Sequence, residues 1–381
     1  MLLNKPYDGL EIHREDKIVY ARFIIAHQVL STCRVAGGLR DNIDVLYNHQ
    51  SCEPVGHMHQ RTRRAINDPA GYRRMICDRF DLPAERCATL GTAANMHHAC
   101  IETRTFGDLI VTALCTGGVE ANAGRVGDPA AYMETAEGFE KVPPNAALPG
   151  PGTINTMIFI NRPLIPGAMV RVVMTATEAK TAALQELAVN SRYSEGLATG
   201  TGTDQIAVAA ARTGHKPLTS AGKHAKLGEL IGRSVHRAVK AALALQNSLT
   251  PAGQCSGKNH LERFGLDREG MKTAICRYLN KAQAALLRNN FTGIERDPVT
   301  VAAVAALVHL QDKFTWGILP AACRGEVMGA FAAQIACAVC GDYARMTPFR
   351  RELSDVAGGV DGAQVAELAC RAMALGFSVK W

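Results

Sequence analysis

The chain has 381 residues and a formal net charge of +7, with 47% hydrophobic and 20% charged residues. This composition is that of a globular protein and excludes an intrinsically disordered one. The length allows a large core and predicts two or three structural units.

The charge distribution argues against a nucleic-acid partner. Only 6% of the residues are aromatic, and the basic residues are spread out apart from one cluster at residues 60–75. Proteins that bind nucleic acids concentrate cations on one element and interleave aromatic side chains. We interpret the cluster as a solvated face or as a contact to an acidic or phosphorylated small substrate.

The N-terminus and the cysteines predict a cytoplasmic protein. Charges occur throughout the first 16 residues, which therefore lack the apolar core of a signal peptide. No uncharged apolar run reaches the roughly 18 residues of a transmembrane helix, so no membrane span is expected. Twelve scattered cysteines are typical of reduced thiols, and the pair Cys337 and Cys340 is interpreted as core packing within a helix.

Three sections of the chain differ in pattern. Residues 1–100 mix short strand-like runs with histidines and cysteines, residues 105–245 alternate strands and helices, and residues 250–381 are mostly helical. Alternating elements predict a layered α/β (α+β) fold with a mixed sheet packed with helices, although the pattern does not fix the strand directions. We predict an α/β domain over residues 1–250, with its core at 89–245, and a helical region over residues 251–381.

Periodicity predicts five elements in the middle section. Apolar runs predict strands at residues 108–118, 153–164 and 204–211. Residues 166–189 predict a helix whose buried face comprises Met169, Val173, Ala176, Ala179 or Ala183, Leu184 and Leu187. Its opposite stripe comprises Arg171, Thr175, Glu178 and Gln185. Residues 220–245 predict a helix with Ser220 as N-cap and a buried face of Leu227, Leu230, Ile231, Val235, Ala238, Val239 and Ala242.

Two asparagines stand at the ends of these elements. Asn122 lies in a glycine-rich segment that predicts either a capped turn or a binding loop. Asn155 falls inside a strand, where asparagine is depleted, and a buried amide must find partners. Asn155 is therefore either an internal tie or a ligand contact.

Charged groups in the two predicted helices suggest chemistry. Glu178 is either part of a solvated face or a general base. Lys223, His224 and Lys226 stand in the expected first turns of the second helix, where partial positive charge disfavours cations. They predict either a tolerated exposed cluster or an anion site for a phosphate, a carboxylate or an oxyanion.

The stretch "GLATGTGTD", residues 196–204, alternates glycine with threonine and ends in a carboxylate. Glycines let successive N–H groups converge on an anion, the threonines add hydroxyl donors, and Asp204 can orient a histidine or a lysine. The stretch lacks the G-K-[ST] of a P-loop and precedes a strand, unlike a dinucleotide-binding loop. Nucleotide binding is therefore disfavoured.

Two histidine-rich spots offer ligands for Zn²⁺ without a firm spacing signature. They comprise Cys52, His57 and His59, and His97, His98 and Cys100. We predict that no metal or other cofactor is required, and leave open whether a metal binds.

The motifs "GTINT", "TATEAK", "TGTGTD" and "GKHAK" closely resemble the adenosylcobinamide amidohydrolase family. The resemblance covers about residues 89–245, continues weakly back to about residue 27, and is absent after about residue 250. It implies a hydrolase that cleaves the aminopropanol amide of adenosylcobinamide to give adenosylcobyric acid for corrinoid (vitamin B12) salvage. The same section faintly resembles the layered fold of autoprocessing aminopeptidases and ornithine acetyltransferases, which says little about chemistry.

Amide hydrolysis needs a nucleophile, donors for an oxyanion and an acid for the leaving amine. We predict that Glu178 or His224 activates a water and that Asp204 orients a partner, with Thr177 or Thr201 as alternative nucleophiles. The residues predicted to bind the substrate are Asn122, Asn155, Lys180, Thr199, Gly200, Thr201, Gly202, Thr203, Lys223 and Lys226. Among these, the amides of residues 200–203 and Lys223 are expected to hold the oxyanion in one cleft.

Two other functions remain open. A non-catalytic corrinoid-binding protein would bind cobinamide without releasing aminopropanol, and an amidohydrolase of the same fold would act on a different substrate. The helical region over residues 251–381 is expected to be a lid or a dimerisation unit, and the second role would make the protein a homo-oligomer.

Overall fold

A computed structural model describes residues 1–51, 67–136, 138–142 and 150–380. These residues form two compact units. The first comprises Met1–Tyr193 and Leu197–Leu249, and the second comprises Ser194–Gly196 and the chain from Thr250 onward. The predicted ligands Cys52, His57 and His59, with part of the basic cluster, lie outside the described residues.

The first unit contains all the described strands. In chain order they are β1 (Leu2–Tyr7), β2 (Leu10–Glu15), β3 (Ile18–Phe23), β4 (His27–Ser31), β5 (Gly38–Arg40), β6 (Val45–Gln50), β7 (Cys87–Thr92), β8 (Cys100–Phe106), β9 (Leu109–Gly117), β10 (Ala123–Gly124), β11 (Tyr132–Thr135), β12 (Gly138–Lys141), β13 (Ile154–Ile160), β14 (Gly200–Thr201) and β15 (Gln205–Ala211). The three strands predicted in the middle section correspond to β9, β13 and β15.

Two larger sheets form the centre of this unit. One has the order β1-β2-β3-β6-β7, and the other has the order β5-β4-β15-β13-β9-β8. In the second sheet β13 and β15 are parallel, whereas β13 pairs antiparallel with β9 and β15 pairs antiparallel with β4. The sheet is mixed, and the predicted α/β class is confirmed.

Three helices of the first unit cover the outer faces of the two sheets, which gives four layers. They are α1 (Pro69–Arg79), α2 (Pro166–Glu186) and α3 (Lys226–Asn247). Helices α2 and α3 share an apolar core with one face of the six-stranded sheet, the two sheets share a second core, and α1 covers the outer face of the five-stranded sheet. Strand β13 is buried on both faces: Ile158 faces the helices and Phe159 the other sheet. A strand covered on both sides is buried at every position instead of at alternate ones. Strand β13 is buried throughout, although Asn155 and Thr156 are polar.

The buried helix faces largely follow the predicted periodicity. All seven apolar residues predicted for α3 are buried. Of the face predicted for α2, Val173 and the C-cap residue Leu187 are only partly buried, whereas Val172 is fully buried. Thr175, which we placed on the solvent stripe, is buried, and its hydroxyl is satisfied by donating to the carbonyl oxygen of Ala221 at 2.8 Å.

The predicted start of the second helix is wrong. Helix α3 begins at Lys226, its N-cap residue Ala225 provides no side-chain cap, and Lys223 and His224 lie in the preceding turn. This turn packs against the first helical turn at Gly228, where a Cβ would lie 2.1 Å from the carbonyl oxygen of Gly222. Only Lys226 is therefore a cation in the first turn, and Glu229 of the same turn pairs with it at 2.5 Å.

The second unit is helical, as predicted. Its helices are α4 (Pro251–Gln254), α5 (Gly257–Leu261), α6 (Arg268–Cys276), α7 (Lys281–Glu295), α8 (Pro298–Thr315), α9 (Arg324–Cys340), α10 (Met346–Glu352) and α11 (Gly362–Lys380). They enclose an apolar core of their own that includes Met328 and Phe377. Cys337 is buried in α9, in agreement with core packing.

Among the described residues, the stretch Ala321–Cys340 has the length and composition of a membrane span, with a mean hydropathy of 1.2. Half of it is buried inside the protein, and core helices of globular proteins have the same length and composition. The absence of a membrane span stays a prediction.

Candidate functional site

The carboxylate of Asp204 organises the glycine–threonine loop. It accepts hydrogen bonds from the Ile154 amide at 2.9 Å, the Thr201 amide at 3.1 Å and the Thr201 hydroxyl at 2.5 Å. It also pairs with the ammonium of Lys180, and both side chains are about 15% exposed. Asp204 therefore orients a lysine, one of the two partners expected from the sequence.

The glycine at position 200 is required by this ion pair. A Cβ at Gly200 would lie 2.5 Å from Oδ2 of Asp204 and 2.9 Å from Nζ of Lys180. Gly200 also lies in β14, which pairs with β10, so the loop is held to the strand that carries Gly124. On the same loop the Thr199 hydroxyl accepts from the Val126 amide at 2.8 Å.

A second polar cluster adjoins the loop around the carbonyl oxygen of Gly152. This oxygen accepts from Nδ2 of Asn122 at 2.7 Å and from the Thr203 hydroxyl at 2.8 Å. The Tyr193 hydroxyl donates to Oδ1 of Asn122 at 2.7 Å, and burial raises the pKa of Tyr193. The Thr153 hydroxyl donates to the carbonyl oxygen of Thr203 at 2.6 Å. The sequence reasoning missed Tyr193 and Thr153, because an isolated hydroxyl gives no periodic or spacing signal.

A cavity of about 160 Å³ lies between α2 and the sheet beside the ion pair. Thr177, Lys180 and Asp204 line it, and its remaining walls are Ile154, Thr156, Ala176, Gln205 and Ile206. Thr177 is exposed and precedes Lys180 by three residues on α2, so the two side chains are neighbours on the helix surface. The structure thus brings three predicted site residues to one cavity.

The loop amides are not arranged as predicted. The Thr201 amide donates to Asp204, and the Thr203 amide donates to the Thr201 hydroxyl at 3.3 Å. These two donors are satisfied within the loop, so the expected cradle of amides over residues 200–203 is wrong for them. The reason is the position of Asp204, whose carboxylate takes the place expected for a bound anion.

Asn155 lies apart from this cavity, between the two sheets. Its Nδ2 donates to Oδ1 of Asn48 at 2.9 Å and to the carbonyl oxygen of Gly91 at 3.0 Å. Asn48 in turn donates to the Thr116 hydroxyl at 2.8 Å. The Nδ2 contacts are those of an internal tie, whereas Oδ1 of Asn155 is buried and has no hydrogen-bond partner among the described residues, so both roles left open by the sequence stay predictions.

Glu178 and Lys223 lie on the other side of α2. They form an ion pair of 2.9 Å between side chains that are 51% and 70% exposed. Both line an open groove of about 930 Å³ that does not include Asp204. The expected common cleft for Glu178, Asp204 and His224 is therefore wrong. Thr177 lies beside Asp204, and the next residue, Glu178, points away from it because consecutive side chains of a helix are about 100° apart.

His224 and Lys226 are also absent from the cavity beside Asp204. His224 is exposed in the turn before α3. Lys226 lies 4.7 Å from the ring centroid of Phe106, and its ammonium lowers the pKa of Glu229. Of the cations expected at the scissile carbonyl, Lys223 and His224 thus lie in the turn before α3 and Lys226 lies in its first turn, and none of the three lines the cavity beside Asp204.

Across residues 1–51, 67–136, 138–142 and 150–380, no group of three or more metal-binding side chains is placed to hold an ion. His98, one of the predicted ligands, makes a hydrogen bond of 2.9 Å with Gln246 through Nδ1.

The chain matches a protein-family model and is similar to known proteins. A family model described as adenosylcobinamide amidohydrolase matches residues 3–251, which confirms the resemblance and includes both cavities. An uncharacterized protein of Methanocaldococcus jannaschii is 36% identical over 188 residues, which are 48% of this chain and 73% of the relative. A Burkholderia sp. beta-aminopeptidase is similar at 14% identity with a TM-score of 0.28, over 64% of this chain and 82% of that one.

Proposed function

We propose that this chain, which belongs to the adenosylcobinamide amidohydrolase family, hydrolyses the aminopropanol amide of adenosylcobinamide. Water is the only co-reactant: its oxygen ends on the carbonyl carbon, the C–N bond breaks, and the amine leaves with a proton. The products are adenosylcobyric acid and the amino alcohol. The family match supports an amide as the bond that is cleaved.

The observation that carries the proposal is the Lys180–Asp204 ion pair at the cavity that Thr177 also lines. Asp204 fixes the position of the lysine ammonium, and such a preorganised cation stabilises the negative charge that develops on a carbonyl oxygen. The Thr177 hydroxyl lies at the same cavity and either positions the attacking water or attacks the carbonyl carbon itself. In the second case the C–N bond breaks, the amine leaves with the hydroxyl proton, and water then hydrolyses the threonine ester.

The size of the cavity indicates which part of the substrate enters. Sites that enclose drug-sized ligands occupy about 300–1,000 Å³, and this cavity occupies about 160 Å³. It accommodates an amide side arm, while a macrocycle stays outside. This geometry is consistent with a reaction on the periphery of a large ring.

The test is to incubate purified protein with adenosylcobinamide and to follow adenosylcobyric acid and aminopropanol by mass spectrometry. Lys180→Met is expected to lower turnover by about 10²–10³-fold, as removal of an oxyanion donor does. Thr177→Val is expected to lower turnover, and Thr177→Ser to retain most of it. Lys216→Met, at an exposed loop lysine, is the matched control.

Unchanged turnover in both Lys180→Met and Thr177→Val, with folding intact, would place the reaction elsewhere. Tight binding of the corrinoid by the wild type without any product would identify a non-catalytic binding protein. Product from other amides, with none from adenosylcobinamide, would identify an amidohydrolase with a different substrate.

A further inference from the structure

The largest cavity described above is the groove between α2 and α3, which we call the α2–α3 groove. Its walls are Arg104, Thr175, Glu178, Ala179, Ala182, Lys223, Gly228, Glu229, Gly232, Arg233, His236 and Arg237. Its volume of about 930 Å³ falls within the range of sites for whole small molecules. The proposed hydrolysis does not use it, because α2 separates it from Lys180 and Asp204.

Two glycines of α3 that line the groove differ in their surroundings. Gly228 is required, because a Cβ there would meet the backbone of Gly222. A Cβ at Gly232 would meet no atom within 4 Å. Glycine in a helix interior costs about 1 kcal/mol relative to alanine, and no packing contact explains that cost at Gly232. Its effect is to leave the floor of the groove open.

The charges around the groove favour an anion. Two carboxylates are each shared by two cations: Glu102 by Arg104 and Arg237, and Glu229 by Lys226 and Arg233. Glu178 pairs with Lys223, and Glu186 pairs with Lys240 and contacts the ring of His236. Cations therefore outnumber carboxylates along the rim. Exposed ion pairs contribute little free energy, so these cations can exchange a shared carboxylate for a ligand.

The floor of the groove is apolar where the rim is charged. Ala179, Ala182 and Gly232 place small uncharged surfaces between the charged side chains of the two helices. A ligand with an apolar body and one anionic group would contact both parts.

We infer that the α2–α3 groove binds an anionic small molecule with an apolar body, whose anionic group is held by Arg233 and Arg237. Carboxylates, sulfonates and phosphate esters share this chemistry. The inference does not depend on the proposed hydrolysis, because it rests on residues on the other side of α2.

The probe for the test is 8-anilinonaphthalene-1-sulfonate, an aromatic anion whose fluorescence reports binding to full-length wild-type protein. Gly232→Phe fills the groove floor, and the double variant Arg233→Gln/Arg237→Gln removes the two cations. Gly293→Phe is the matched control, since Gly293 is also a helix glycine whose Cβ would meet no atom within 4 Å.

We expect each groove variant to weaken binding of the probe by about tenfold or more, equivalent to about 1.4 kcal/mol. The control is expected to bind as the wild type does. The neutral analogue N-phenyl-1-naphthylamine should bind more weakly than the sulfonate, and added NaCl should weaken only the sulfonate, because salt screens charge.

Wild-type affinity in both groove variants would overturn the inference, as would equal affinity for the neutral and anionic probes. If Gly232→Phe fails to fold, the affinity of the Arg233→Gln/Arg237→Gln variant for the probe is the test of the inference. Hexanoate and hexyl phosphate, used as competitors of the probe, then distinguish a carboxylate from a phosphate as the preferred anionic group.

Discussion

Thr177 and Glu178 are consecutive residues of α2, and their side chains line two different cavities. Helix α2 is the wall between these cavities, with Lys180 on the side of Thr177 and Lys223 on the side of Glu178. The groups that the sequence placed around one carbonyl therefore belong to two sites. Variants on the two sides of α2 are expected to have different effects.

Replacement of Asp204 is expected to destabilise the first unit. Asp204→Asn leaves the Lys180 ammonium about 86% buried without its counter-charge, and breaking a buried pair costs about 3 kcal/mol. Urea unfolding at pH 7 measures the change. The double variant Lys180→Met/Asp204→Asn should lose less than the sum of the single losses, because the unpaired charge is gone. If the losses of the two single variants added up to the loss of the double variant, Lys180 and Asp204 would not stabilise the protein as a pair.

A methyl group at position 200 is expected to separate the same pair. The added Cβ of Gly200→Ala lies 2.5 Å from Asp204 and 2.9 Å from Lys180, and overpacking of this kind costs about 1–3 kcal/mol. We expect lower stability together with lower turnover. Gly214→Ala is the control, because a Cβ there meets nothing within 4 Å. If Gly200→Ala matched Gly214→Ala in stability and turnover, the glycine–threonine loop would tolerate a side chain at position 200.

Two glycines one turn apart in α3 are expected to respond in opposite directions. Gly232→Ala should raise the free energy of unfolding by about 1 kcal/mol, since alanine has the higher helix propensity and the space is open. Gly228→Ala should lower it by about 2 kcal/mol, because the Cβ would lie 2.1 Å from the carbonyl oxygen of Gly222. Thermal and urea unfolding of both variants measure the signs. The same sign in both would contradict the described packing of the turn.

The stability of the first unit is expected to fall in mild acid because of His27. This side chain is fully buried, its Nδ1 donates to the carbonyl oxygen of Ile25 at 2.8 Å, and its Nε2 accepts from the Tyr7 hydroxyl at 2.8 Å. Burial lowers the pKa of His27 from 6.5 to about 4. The unfolded chain therefore binds a proton below pH 6.5 that the folded chain binds only near pH 4.

The contribution of His27 is complete above pH 6.5 and is lost as the pH falls towards 4. Between these two pH values, His27 makes the free energy of unfolding change by up to about 1.4 kcal/mol per pH unit. Urea unfolding of the wild type and of His27→Gln between pH 4.5 and 7.5 measures it, and the variant should show the shallower dependence. Parallel curves would mean that His27 keeps its ordinary pKa in the folded protein.

The amino-acid sequence by itself determined β9, β13, β15, α2 and, apart from its start, α3, because burial of one helix face or of a whole strand leaves a recognisable pattern in the chain. The seven apolar residues of α3 and the apolar run of β13 show this directly. The specific motifs also determined the family, which depends on residue identity at matched positions and needs no coordinates.

Only the tertiary structure decided which polar residues meet. Asp204 and Lys180 are 24 positions apart, and Asn122 and Thr203 are 81 apart, so neither pair leaves a periodic signal. The start of α3 followed from the packing of the turn at Gly228 and not from the cap residue Ser220. The direction in which a helix side chain points depends on the exact phase of the helix against the sheet. That phase placed Thr177 beside Asp204 and Glu178 in the groove.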